Sequence, residues 1–340
     1  MTIDLVYLWC DLADPAFRTK RDAALKKRGL AVKEGDNGAC RYLSHDELKY
    51  SMRSVEKFMP WIRLVHLVVD DDISLPRWLD EDNPRLRVHR WGRIMPAEKL
   101  PCFNSSVFEF FLQDIPGLSE RFLYANDDQL ATRPVEPSFF FARDGMPIFR
   151  YTKSRLDMDA PELEDGYLHR VRESFRFAKA NFGVRNGYEK AYGHLGHHCI
   201  DGYIKEDLDA FRRAYPEVWD RQTSHPFRDR SQLQREVLAG FAFSLGHAHY
   251  RQIRRPWWET AIGLPHRDSW HCSPARRDIA GEFRRIRPSL LCMNDSQDVT
   301  EADHIRAHAF LESLFPEPCG FEKKIPAPLR TPQNGGQTLV

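Results

Sequence analysis

The chain has 340 residues, a length that fits one large α/β domain or two modest ones. Its 50 basic residues almost cancel its 49 acids, leaving a formal charge of +1, so no global field favours nucleic acid or an anionic membrane. Apolar residues at 42 % and aromatics at 12 % supply a packed core and exclude a disordered chain.

Ile3–Trp9 (IDLVYLW) reads as a strand of β-branched and aromatic residues, stopped by Asp11, Asp14 and Pro15. Arg18–Arg28 reads as a charged helix and Glu34–Gly38 as a loop. Ser44–Met59 is the clearest helix. Ser44 and Glu47 make an S-x-x-E capping box, Leu48, Met52, Val55 and Met59 form an apolar stripe, and Pro60 ends it. Ile62–Val69 is a buried strand running into Asp70, Asp71 and Asp72, and Leu86–His89 is a short one. Asn104–Leu112 opens a helix with Ser106 and Glu109 as its box, and Phe122–Ala125 is a strand ending at Asn126-Asp127-Asp128. This order predicts an open, largely parallel α/β sheet, in which ligands gather beyond the carboxyl ends of strands.

Residues 155–250 read as mostly helical. Ile200, Ile204, Leu208 and Phe211 recur at helical spacing, and Ser231 and Gln234 open a helix carrying Leu233, Val237, Phe241 and Leu245. Leu290–Met293 is a last strand and Thr300–Phe315 a last helix. Residues 323–340, with three prolines and two glycines, read as a disordered tail. The expectation is one domain over 1–322, its core sheet drawn from 1–150 and 285–322, with a mainly helical insertion over 151–285. No apolar run reaches about 18 residues, so no membrane-spanning helix is expected. MTIDLVYLWCD lacks a basic leader, so no secretory signal is expected. Seven cysteines, widely spaced and without a CxxC, disfavour a disulfide framework or zinc ribbon, and a cytoplasmic setting follows as the simplest expectation.

Several residues could carry chemistry. Adjacent carboxylates after a buried strand, Asp127 and Asp128, are costly unless a cation or donors neutralise them, and hard oxygen ligands suit Mg²⁺ or Mn²⁺. A turn cap is the alternative there, and also for Asp11 with Asp14. Asp4, inside the first strand, is either edge-exposed or a buried acid. Asn104 and Ser105 stand at a predicted helix N-terminus, where Asn104 either caps the helix or helps to face an anion. GHLGHHCID holds His194, His197 and His198, open to readings as zinc ligands, a general base or loop residues. No HExxH, Walker A or GxSxG is present. Residues 212–290 carry 15 arginines against 8 acids, which suits either a solvated surface or a wall facing a polyanionic small substrate.

Taken together, four segments resemble the Stealth family. IDLVYLWCDLADP (3–15) is similar to its first conserved region, usually IDxVYTWVDGxDP, with Cys10 and Leu12 in place of Val and Gly. RYLSHDELKYSMRSVEKFMPWIRLVHLVVDD (41–71), PRWL (76–79) and LPCFNSSVFEFFLQDIPGLSERFLYANDD (100–128) resemble the second. GHLGHHCID and HPFRDRSQL resemble the third, with Gly196 where Pro is usual, and LLCMNDS and FPEPCGFEK the fourth. Members of that family include bacterial capsule polymerases and the α/β chain of the lysosomal-enzyme GlcNAc-1-phosphotransferase.

The resemblance implies a Rossmann-like, glycosyltransferase-A-like core with helical insertions. It also implies a Mg²⁺ or Mn²⁺ requirement and transfer of hexose-1-phosphate from a UDP-sugar to a saccharide or glycan hydroxyl, releasing UMP. It places Asp127, Asp128 and Asp295 at the metal or diphosphate, Arg228 as a clamp on the attacked phosphate, and His194, ahead of His198, as proton acceptor. Asp11 is a base or a metal ligand. Trp9, Asn104, Ser105, Arg53, His198 and Asn294 are expected to contact substrate. The rival expectations are a sugar transferase of the same fold that releases UDP, a non-catalytic polysaccharide-binding protein, and a zinc hydrolase using His194, His197 and His198. A peripheral membrane contact is expected, if anywhere, at Arg254–Trp258, and no oligomeric state is read from the sequence.

Overall fold

The computed structural model describes residues 1–30, 38–160, 163–253 and 267–324. Arg254–Trp258 and residues 325–340 of the expected tail lie outside them. Strands are β1 (Ile3–Leu8), β2 (Val65–Val69), β3 (Leu86–Arg90), β4 (Arg121–Asn126), β5 (Gln129–Ala131), β6 (Ile148–Arg155), β7 (His194–Gly196), β8 (Asp201–Ile204), β9 (His249–Gln252), β10 (Arg267–Cys272) and β11 (Pro288–Met293). Helices are α1 (Pro15–Lys27), α2 (Glu47–Phe58), α3 (Ser105–Phe108), α4 (Pro137–Phe140), α5 (Gly166–Phe182), α6 (Tyr188–Ala191), α7 (Lys205–Ala214), α8 (Pro216–Thr223), α9 (Glu236–Leu245), α10 (Ile279–Ile286) and α11 (Glu301–Leu314).

The main sheet runs β3-β2-β1-β4-β8. Its first four strands are parallel, with Leu5 opposite Val65 and Leu123 and Leu67 opposite Val88. Only β8 is antiparallel, pairing with β4. This is the open α/β, Rossmann-like order, with the central strands buried on both faces and correspondingly apolar. The structure differs from the expectation in the middle of the chain. Ile200–Ile204 is not helical: residues 201–204 form an edge strand of the main sheet, and only Leu208 and Phe211 belong to a helix, α7. The segment expected to be a helical insertion thus supplies strands to all three sheets. The two smaller ones are β10-β11-β5 and β7-β6-β9.

Helix α2 joins the main sheet to the β10-β11-β5 sheet. Leu48, Met52 and Val55 bury its apolar stripe. Its small hydroxyls reach both sheets: Ser51 Oγ lies 2.6 Å from the Tyr7 hydroxyl on β1 and donates to Gln129 O on β5, while Ser54 Oγ accepts from Ala131 N at 3.0 Å. The outer edge of β5 is therefore hydrogen-bonded by a helix rather than left open. The expected capping box is only half formed. Glu47 Oε2 accepts from His45 N at 2.7 Å, but Asp46 stands at the cap and Ser44 Oγ takes the Trp9 indole N–H instead. At the other end of the chain Thr300 and Asp303 form a complete box for α11. No helix among the described residues is long and apolar enough to cross a membrane.

Asp4 is a buried acid. Its carboxylate accepts from Arg63 Nε and Nη2 at 2.9 and 2.6 Å, and from Ser119 N at 2.8 Å. Buried His66 lies 3.3 Å away and hands the contact on to His89 at 2.9 Å. Burial would raise the Asp4 carboxyl, but the hydrogen bonds from Arg63, His66 and the Ser119 N–H outweigh it and hold the group well below the usual range.

Candidate active site

Beyond the carboxyl ends of β1, β2 and β4 lies an open cavity. Strand β4 ends at Asn126, the chain turns through Asp127 and Asp128, and β5 leaves in a different sheet. β5 runs antiparallel to β11, and Met293 N donates to Asp128 O at 2.9 Å. This pairing draws residues 293–295 against the acidic turn, and Asn126, Asp127, Asp128, Asn294 and Asp295 all line the cavity.

Residues 225–228 bring Arg228 to the cavity wall. Phe227 stacks on Phe103 with ring centroids 5.2 Å apart, and Pro226 O accepts from Phe103 N at 2.7 Å. Asn104 Nδ2 donates to His225 O at 3.0 Å and to Gln232 Oε1 at 2.8 Å. These contacts seat Arg228 in the cavity, where its Nη2 donates to Ser105 Oγ at 3.1 Å. Asn104 lines the cavity, but its amide is fully used, since Oδ1 also caps Ser106 N. Helix α3 spans only four residues, so the expected helix-end field at Asn104 and Ser105 is missing, because few peptide dipoles add up there.

The acidic end is electrostatically unsatisfied. Burial and the charges of Asp128 and Glu47 push Asp127 well above the usual carboxylate range, and burial raises Asp128 despite the hydrogen bond from the Cys292 thiol. Burial, with the charges of Asp128 and Asp295, pushes Glu47 up to about 7. Asp128 Oδ1 is buried without a hydrogen-bond partner. A hard oxygen-lined divalent cation fits this corner, because it would relieve carboxyls whose protonation burial favours despite the Arg41 charge near Asp128, and would satisfy that oxygen. Asp295 stands further along the wall, with Oδ2 3.6 Å from His304 Nε2. Asp127, Asp128 and Asp295 do not together form one of the groups of three close ligand atoms in the described residues, although they share the cavity.

The structure gathers Trp9, Asn104, Ser105, Asp127, Asp128, Arg228, Asn294 and Asp295 around one cavity and leaves four predicted residues off its lining. Arg53 faces the chain's end: it forms a two-pronged ion pair with Glu322 and donates to Phe315 O, so its guanidinium is consumed in packing. Asp11 holds its own turn, Oδ1 accepting from Ala13 N at 2.9 Å. His194 sits on β7, in a different sheet, with Nδ1 3.1 Å from Thr152 O. Its strand pairing with β6 carries it away from the acids. The histidine trio does not converge: His197 is locked between Asp201 (2.7 Å) and Ser269 (3.2 Å), and His198 turns toward His271. Arg41, Tyr42, Glu47, Trp91 and Phe108 also line the cavity and were not singled out as site residues. Trp91 directly follows β3, a position that a search for residues just beyond strand ends would have reached.

Strand order and site together define an open-sheet α/β protein with an acidic, arginine-walled cavity at the carboxyl ends of its parallel strands. Residues 41–149 match the family described as Stealth protein CR2, conserved region 2. The chain is 34 % identical over 333 residues to an exopolysaccharide phosphotransferase of Streptomyces coelicolor, covering 95 % of this chain and 52 % of the relative. It is 31 % identical over 334 residues to exopolysaccharide phosphotransferase CpsY of Mycobacterium tuberculosis, covering 94 % and 58 %. The chain thus carries the conserved region 2 of the Stealth proteins and is similar over nearly its whole length to these exopolysaccharide phosphotransferases. It spans rather more than half the length of these curated relatives. Among solved structures, galactosyltransferase LgtC in complex with donor and acceptor sugar analogs is similar with a TM-score of 0.44 and 13 % identity, over 93 % of this chain and 97 % of that one. The inositol-1-phosphate CTP transferase from T. maritima follows with a TM-score of 0.35 and 10 % identity, over 93 % and 98 %.

Proposed function

We propose that the chain transfers hexose-1-phosphate, for example N-acetylhexosamine-1-phosphate, from a UDP-sugar to a hydroxyl of a saccharide or glycan, in capsular or exopolysaccharide synthesis. The observation that carries this reading is the meeting of the Asp127–Asp128 turn and Arg228 in one cavity. The exopolysaccharide phosphotransferase relatives support the same class of reaction. The acceptor oxygen bonds to the hexose-bearing phosphorus, the bond from that phosphorus to the UMP oxygen breaks, and UMP leaves. Such a transfer asks mainly for positioning and for stabilisation of spread-out charge.

Arg228 grips the attacked phosphate with its planar fork, and Ser105, already bonded to it, fixes the fork's orientation. Trp9 lines the nucleotide side. Asp127 and Asp128 would hold Mg²⁺ or Mn²⁺, with Asn294 and Asp295 facing it, and the ion supplies neutralisation of diphosphate charge when bound. His194 is not the proton acceptor in this reading, since it does not line the cavity. Glu47 takes that role: it lines the cavity, and its affinity for protons is matched to neutral pH.

Incubation with a panel of UDP-sugars, an acceptor saccharide and Mg²⁺ is expected to yield UMP and a phosphodiester resonance in ³¹P NMR. UDP with a new glycosidic bond would overturn this reading in favour of an ordinary sugar transferase. No product, with no rise in melting temperature on adding UDP-sugar and Mg²⁺, would point to a polysaccharide-binding protein, because ligands of the native state stabilise it. The rate should climb with pH as Glu47, raised by its burial, loses its proton, and then level off, with Mg²⁺ on Asp128 drawing the midpoint below about 7. Glu47→Gln should remove that climb along with most of the turnover.

A further inference from the structure

Two groups of three potential ligand atoms lie within 4.8 Å of one another among the described residues: His198, His271 and Cys292, and His45, Asp295 and His304. Ring geometry separates them. His45 and His304 are stacked face to face, centroids 3.6 Å apart and planes 14° apart. Their in-plane lone pairs run side by side and cannot meet at one ion. His198 and His271 have centroids 5.1 Å apart and planes tilted by 62°, so their lone pairs can converge on a common point.

The fold brings this second set together from three places. His271 on β10 and Cys292 on β11 are direct partners across a parallel pair, so their side chains leave the same face of the sheet. Trp270, Cys272, Leu291 and Met293 occupy the other face, in the core that contains Phe310 of α11. His198 arrives from the link between β7 and β8, just after His197 is fixed to Ser269 of β10. A fourth donor stands beside them. Cys292 Sγ donates to Asp128 Oδ2 at 3.3 Å, and Asp128 Oδ1 is buried without a partner. Burial, with Arg235 and His271 adding to it, holds His198 down at about 3, so its ring is neutral and its lone pair free of a proton at working pH. Cys292 is buried and His271 is exposed, which leaves the ion an entry from solvent.

We propose that His198, His271 and Cys292 form a zinc site, with Asp128 or water as the fourth ligand. Two imidazoles and a thiolate are a borderline-soft donor set that selects Zn²⁺ over Mg²⁺. Zinc–ligand bonds of about 2.0–2.3 Å place ligand atoms roughly 3.5 Å apart, a spacing inside the 4.8 Å limit that the three atoms already meet. Binding displaces the Cys292 proton to solvent, leaving a thiolate on the metal. The ion would pin the link between β7 and β8 onto the β10-β11 sheet, next to the acidic turn. The site shares at most Asp128 with the proposed reaction, and its test reads no activity.

The purified chain, stripped with a chelator and reconstituted with Zn²⁺ in the presence of excess Mg²⁺, is expected to retain one zinc per chain through gel filtration. The Co²⁺-substituted protein should show a thiolate-to-cobalt charge-transfer band. Cys292→Ser should abolish that band. His271→Ala, at an exposed position and so with the fold intact, should weaken zinc retention at least tenfold. Absence of bound zinc at stoichiometric excess, a cobalt adduct without the thiolate band, or unchanged retention in His271→Ala would each overturn the site.

Discussion

Arg228→Ala is expected to lower the turnover number by about 10³-fold, the scale on which a single arginine stabilises charge in phosphoryl transfer. The melting temperature should hardly move, because the segment around Arg228 is anchored by other residues. Phe227 on Phe103, Pro226 O on the Phe103 N–H and His225 O on the Asn104 amide remain in place without the guanidinium. Arg228→Lys keeps the charge but loses the planar fork, so it should recover little of the loss. Steady-state kinetics with the UDP-sugar that gives UMP, paired with thermal unfolding, makes the comparison. Wild-type turnover in the alanine variant would remove the clamp from the proposed reaction.

The largest expected effect on stability is at Asp4. Asp4→Ala should cost about 3 kcal/mol, because it strands groups that this carboxylate satisfies in the interior. Arg63 is 45 % exposed and can turn to water. His66 is buried, and the Ser119 N–H donates to Asp4 from a partly buried position, so most of the loss arises at these two. The pH dependence has a definite sign. A carboxyl held below its unfolded value contributes fully above that value, near 4, and its contribution fades as pH falls toward the folded one. Denaturant titrations should therefore find the gap between wild type and Asp4→Ala constant at neutral pH and closing between about pH 5 and pH 2. A gap that persists undiminished into strong acid would mean that the carboxylate's charge is not what stabilises β1.

Much of the main sheet was legible because its strands are long apolar runs with acids at their ends. β1, β2, β3 and β4 lie within a few residues of where IDLVYLW, the Ile62–Val69 run, Leu86–His89 and FLYA place them. The stripe of α2 was equally plain. The three-residue strands β5 and β7 were not, because a strand that short has no periodicity of its own. β8, with Asp201 and Gly202, carries no apolar pattern either, and exists because the edge of β4 accepts it. In the site, Asp127 and Asp128 were readable from their position after a strand. The roles of Arg53 and Arg228 turned on distant partners, Glu322 for the one and Phe103 with Ser105 for the other, and neither pairing leaves a trace in local sequence. The histidine run misled for the opposite reason. Adjacency along the chain suggested a shared role, while extended backbone on either side sent the three rings to three different neighbours.

The turn at Asp127 and Asp128 is the shortest covalent route between two sheets, since β4 belongs to one and β5 to the other. A ligand seated there touches both bodies at once and acts as a rivet across their seam. Occupancy should accordingly slow amide exchange along β10 and β11 as well as at the contacted residues, so that the smaller sheet reports whether the cavity is filled.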